Sequence, residues 1–112
     1  MGGKKNNKKA AAGAAFVEPN ADDPMANKDA GNTMFKAKKY TEAVGYYSRA
    51  IELDSTSAAF YSNRAFAYIH MKEFKKGMED ADSSITLDAA FARAYVRKAA
   101  CQLELTSEEN NF

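Results

Sequence analysis

The chain matches itself when shifted by 34 residues, and no other feature of the sequence restricts its fold as much. Ala30-Gly31 falls on Arg64-Ala65, Met34 on Tyr68, Tyr40 on Phe74, Ala43 on Gly77, Tyr47 on Ala81 and Leu53 on Leu87. The match runs into a third unit, with Tyr61 on Tyr95, Asn63 on Arg97 and Ala65-Phe66 on Ala99-Ala100. A unit this short cannot bury a core alone, so neighbouring units must stack and share one.

The spacing of residue sizes says how they stack. Gly31, Ala43, Ala50, Ala65, Gly77 and Ala99 are small enough to let the two helices of a unit approach closely. Tyr40, Tyr47, Tyr61, Phe74 and Tyr95 fill the gaps between units. Asp23-Pro24 supplies a capping side chain and then proline at the first helical position, where its missing N–H costs nothing. No proline follows, so only short polar turns break the helices, at Lys38-Lys39, Asp54 to Ser57, Met71 to Glu73 and Asp88-Ala89. The pattern predicts five helices, at 24–37, 40–53, 58–71, 74–87 and 91–105.

This small–aromatic rhythm resembles the tetratricopeptide repeat (TPR) family over residues 24–112. Gly31, Ala43, Tyr47 and Ala50 stand in its signature places, as do Tyr61, Ala65, Tyr68 and Gly77, then Tyr95 and Ala99. Ser55 and Ala89 replace the proline that often closes a repeat, and Ala81 replaces a usual aromatic. The resemblance implies an all-α helix-turn-helix array, an α-solenoid of about two and a half repeats: 24–57, 58–91 and a partial 92–112. Residues 106–112 are too few for a partner helix. Either the chain is a piece of a longer protein, or its open end docks on something, a second copy forming a homodimer included.

Residues 1–23 differ in kind. Lys4, Lys5, Lys8 and Lys9 lead an Ala/Gly stretch and then Glu18, Pro19, Asp22 and Asp23, a composition that predicts a disordered tail. The Ala10–Phe16 stretch is too weakly apolar for a secretory signal. Met1-Gly2 opens a myristoylation pattern that wants Ser or Thr where Asn6 stands. Sixteen Lys and Arg against fifteen Asp and Glu leave a net charge of +1, which gives no global field for nucleic acid. No apolar run reaches the roughly 20 residues a membrane span needs. Cys101 is the one cysteine, so there is no internal disulfide and no zinc cluster, and a cytoplasmic setting is expected. With no nucleophile–base pair, phosphate loop or metal spacing, neither an enzyme nor a cofactor is expected.

Polar residues on the first helix of each unit carry the functional reading. Lys28 and Asn32 are spaced i,i+4, Asn63 lies in the third helix, and Arg93 and Arg97 are again i,i+4. Side by side, such helices bring cations and amide donors to one patch suited to paired carboxylates, as at a peptide ending in Asp. The motifs Lys28-x-x-x-Asn32, Tyr61-Ser62-Asn63-Arg64 and Arg93-x-x-x-Arg97 resemble the carboxylate clamp of co-chaperone TPR domains, with arginine for lysine at 93. That resemblance implies binding of the Glu-Glu-Val-Asp tail of 70-kDa and 90-kDa class heat-shock chaperones. The alternative is a structural or assembly module, the regulatory arm of a larger enzyme such as a phosphatase included.

Plainer readings stand beside these. Lys28, or Arg93 with Lys98, fits a solvated face, and Arg64 reads as structural, lying over aromatic rings or meeting an acid of the next repeat. Phe35, Lys36, Phe66, Ile69 and His70 are candidate groove contacts, with packing between repeats as the rival role. Cys101 reads as a small buried hydrophobe. Glu79, Asp80 and Asp82 read as a solvated outer face.

Overall fold

The computed structural model describes residues 16–110. Five helices follow one another: α1 (Pro24–Lys36), α2 (Tyr40–Leu53), α3 (Ala58–His70), α4 (Phe74–Leu87) and α5 (Ala92–Asn110). They pair in antiparallel hairpins, α1 with α2 and α3 with α4, and α5 lies against both helices of the second hairpin. No strand occurs among the described residues.

The ends of the helices are chemically explicit. Asp23 Oδ1 accepts from the amides of Met25 (3.0 Å) and Ala26 (3.2 Å), satisfying donors that α1 leaves free. Ser57 Oγ does the same for Phe60 at 3.3 Å. Within each hairpin the turn is made by a left-handed lysine, Lys38 (φ 64°) and Lys72 (φ 63°). Both turns close in the same way: Lys38 and Lys39 donate to Phe35 and Met34, and Lys72 and Glu73 donate to Ile69 and Tyr68, each at 2.9 Å. One period further on stands Thr106, whose branched β-carbon disfavours that conformation, and α5 runs through it to Asn110. The helix expected to end at 105 is therefore longer.

The interior follows the sequence rhythm. Ala43, Tyr47 and Ala67 are buried together with Met34, Phe35 and Val44 against them, and Ala50, Ile51 and Phe60 form a second cluster. A β-carbon on Gly31 would stand 2.5 Å from the Tyr47 ring, so glycine here is what admits the tyrosine. A β-carbon on Gly77 would stand 2.9 Å from Cys101 Sγ, and Cys101 is wholly buried, with burial raising its thiol pKa.

Two further expectations change. Residues 1–15 of the expected tail lie outside the described residues, but residues 16–20 lie against the first hairpin. Phe16 packs on Tyr46 with centroids 5.7 Å apart, Tyr46 donates to Glu18 at 2.8 Å, and the buried amide of Asn27 donates to the Asn20 carbonyl at 3.1 Å. Composition counts apolar surface, and these contacts are made largely by polar partners that it does not weigh. Asp80 is the second correction: it is 5% exposed, not part of a solvated face. Arg64 reaches it with two bonds, Nε to Oδ2 at 2.7 Å and Nη2 to Oδ1 at 2.8 Å, and donates to Ser48 Oγ at 2.9 Å. The same guanidinium lies 5.8 Å from the Tyr61 and Tyr68 rings, so Arg64 ties α2, α3 and α4 together. Burial pushes the Asp80 carboxyl up, and the Arg64 bonds act against it. Asp82 pairs with Lys98 of α5 at 2.9 Å, and Glu79 is exposed.

Candidate functional site

The first helices α1, α3 and α5 lie side by side, joined through one column of side chains. Phe66 of α3 stacks on Phe35 of α1, centroids 5.0 Å apart and planes 23° from parallel. On its other side the Arg97 guanidinium of α5 stands 3.8 Å above the Phe66 centroid. His70 and Tyr40 extend the cluster, stacked on each other at 4.8 Å, with His70 edge-on to both phenylalanines. Asn32 and Asn63 each precede a ring of this column by three residues, which puts their carboxamides one helical turn up the same face.

Arg97 is the unusual member. Its Nε is buried and has no hydrogen-bond partner among the described residues. Burial, and then the nearby Arg93 charge, hold its pKa below the usual value. A buried donor on a cation is costly to leave unmet, and a carboxylate is the acceptor it suits best.

Asn32 is held differently. The Tyr47 hydroxyl donates to Asn32 Oδ1 at 2.5 Å, so the acceptor end of the amide is occupied and its NH₂ is left to donate. Tyr47 is 2% exposed, and burial raises its phenol pKa to about 12. By size alone Tyr47 is filler between units. What marks it as more is that it is a tyrosine, where phenylalanine would fill the same space, and a buried hydroxyl needs a partner.

The other candidates are placed as follows. Lys28 Nζ bonds its neighbour Asp29 at 2.9 Å, and Arg93 is exposed with its guanidinium 5.8 Å from the Phe91 ring. Neither is hydrogen-bonded to another member of the set. Asn63 is half-buried and Lys36 is exposed on the last turn of α1. Phe35, Phe66 and His70 make the column, while Ile69 turns toward α4, its Cγ1 3.5 Å from where a Gly77 β-carbon would stand. No cluster of potential metal ligands occurs among the described residues.

Fold and groove together define a stacked helix-turn-helix protein with amides and an unpaired arginine on its first helices. The chain belongs to the TPR repeat family, whose profile matches residues 31–71. It is 37% identical over 94 residues to the Hsp70-Hsp90 organizing protein of Triticum aestivum, covering 84% of this chain and 16% of that one. It is 36% identical over 98 residues to serine/threonine-protein phosphatase 5 of Homo sapiens, spanning 80% of this chain and 20% of that enzyme. Among solved structures, the second TPR of Spaghetti (RPAP3) bound to the HSP90 peptide SRMEEVD superposes with a TM-score of 0.75. That pair shares 30% identity over 78% of this chain and 81% of the other. The second TPR domain of human RPAP3, in complex with the HSP70 peptide SGPTIEEVD, gives a TM-score of 0.72 at 31% identity, over 75% and 70% of the two chains.

Proposed function

We propose that the chain is a co-chaperone-type adaptor that holds the C-terminal Glu-Glu-Val-Asp tail of 70-kDa and 90-kDa class heat-shock chaperones. Lys28, Asn32, Asn63, Arg93 and Arg97 form the clamp. The observation that carries the reading is Arg97, a buried guanidinium Nε without an acceptor, on the face that also carries Asn32 and Asn63. Asn32 is poised to donate, because Tyr47 occupies its oxygen. Arg93 is exposed and supplies charge nearer solvent, where it steers an acidic tail more than it binds it, and half-buried Lys28 adds a second cation. The peptides bound by the RPAP3 domains end in the same four residues.

On this reading residues 24–112 are the binding unit, and they hold a partner without performing chemistry. No helix among the described residues is long and apolar enough to cross a membrane, and cytosolic chaperones are the expected partners. Isothermal titration of a peptide ending in Glu-Glu-Val-Asp tests the proposal. Binding is expected in the micromolar range, about −8 kcal/mol or weaker. Asn63→Ala, at a half-buried position with no side-chain hydrogen bond among the described residues, should weaken it about tenfold with helicity unchanged. Equal affinity in the variant would remove Asn63 from the clamp.

A further inference from the structure

Phe66 holds Arg97 more closely than any other ring holds a cation among the described residues. The Arg97 guanidinium carbon stands 3.8 Å from the Phe66 centroid, whereas the other arginine and lysine approaches to rings are 5.5 or 5.8 Å. At 3.8 Å an edge-on guanidinium would drive a nitrogen into the ring, so the group lies nearly flat on it. The ring is itself fixed. Phe35 stacks on it at 5.0 Å, and His70 stands edge-on at 4.8 Å.

The repeat does not ask for a ring at this place. One period earlier stands Asn32, and one period later Ala100. Phe66 is half-buried and belongs to neither buried cluster. Its aromatic and cationic partners, Phe35, His70 and Arg97, all lie on first helices.

The manner of holding decides what the arginine can do next. A carboxylate that anchors a guanidinium uses up its N–H groups, as Asp80 does for Arg64. A ring face attracts the charge without accepting those hydrogens in line, since they lie in the guanidinium plane. Arg97 is thus seated and still able to donate, with Nε buried and unmet among the described residues. Its side-chain freedom is lost on folding rather than on binding.

We infer that Phe66 is a positioning residue for carboxylate binding, seating Arg97 so that its donors are ordered before a ligand arrives. The inference rests on the clamp reading, and it gives Phe66 a role through Arg97 rather than through contact with the peptide.

A double-mutant cycle tests it, by NMR titration of the 112-residue chain with a free-acid peptide ending in Glu-Glu-Val-Asp. Phe66→Leu should weaken binding roughly tenfold. In an Arg97→Ala background the same change should alter affinity less than about twofold, because no guanidinium remains to be seated. Phe66→Tyr keeps the ring and should recover most of the loss. In the free protein, the upfield ring-current shift of the Arg97 side-chain protons should vanish in Phe66→Leu. Far-UV circular dichroism checks helicity, and Phe66→Met carries the cycle if Phe66→Leu unfolds. Equal costs in the parent and Arg97→Ala backgrounds, no cost in either, or an Arg97 shift unchanged by the substitution overturns the inference and leaves the clamp standing. A parent that binds no such peptide overturns the clamp reading, and this role with it.

Discussion

Arg64 and Arg97 stand on neighbouring first helices, both half-buried and both against aromatic rings. Arg64 has two bonds to a buried aspartate and a third to a serine, all from other helices. Arg97 has the face of Phe66 and, at Nε, nothing to donate to. The same side chain is thus used once to join repeats and once to leave a donor waiting. In the first case the protein supplies the carboxylate, and in the second a partner must.

The largest expected effect comes from breaking the satisfied pair. Arg64→Ala leaves Asp80 buried without its cation and should cost about 3–5 kcal/mol, read as a fall in the urea midpoint. Arg97→Ala inverts the pattern. It should reduce affinity for a carboxylate-ended peptide by about 2–3 kcal/mol while lowering the unfolding midpoint much less than Arg64→Ala, because it gives up the Phe66 contact but also removes a buried donor that was unpaired. If Arg97→Ala destabilised the chain as much as Arg64→Ala, the two arginines would have the same structural role.

Tyr47 sharpens the comparison, since it acts on the donor side without touching either arginine. Tyr47→Phe keeps the ring seated against Gly31 and removes the bond to Asn32. Peptide affinity should fall by about 1 kcal/mol, roughly fivefold. The raised phenol pKa adds a pH signature. Its stabilising contribution is complete below the unfolded value of 10.0 and is lost as pH rises through about 12. The parent should therefore lose on the order of 2–3 kcal/mol more than Tyr47→Phe between those limits, measured by denaturation at a series of pH values. The smallest effect lies at the turns. Lys38→Gly relieves a left-handed lysine and should raise stability by up to about 1 kcal/mol, with no change in peptide binding.

How much of this was legible depended on whether a residue acts through size or through a particular bond. Size repeats, so the period located α1 to α4 to within a residue or so, and it marked Gly31 and Gly77 as close-contact positions. The expected end of α5 at 105 follows the period, but Thr106, one period after Lys72, does not easily take the left-handed conformation that Lys38 and Lys72 adopt, and the helix runs on. Asp80 was misread because an acid in a charged run looks exposed until the helix across from it is known to aim Arg64 at it. Asn27 and Tyr47 bond across 7 and 15 residues, at distances no periodicity reports. For the candidate clamp the residue types and helix faces could be read from sequence. The unmet Nε of Arg97 and the fixed amide of Asn32 required coordinates.

The claim that Arg97 awaits a carboxylate is tested most directly by one paired titration. A peptide ending in Glu-Glu-Val-Asp is measured by calorimetry as the free acid and again with its C-terminus amidated. Replacing one carboxylate with a neutral amide should weaken binding at least about thirtyfold, or 2 kcal/mol. Equal affinity for the two forms would contradict the account.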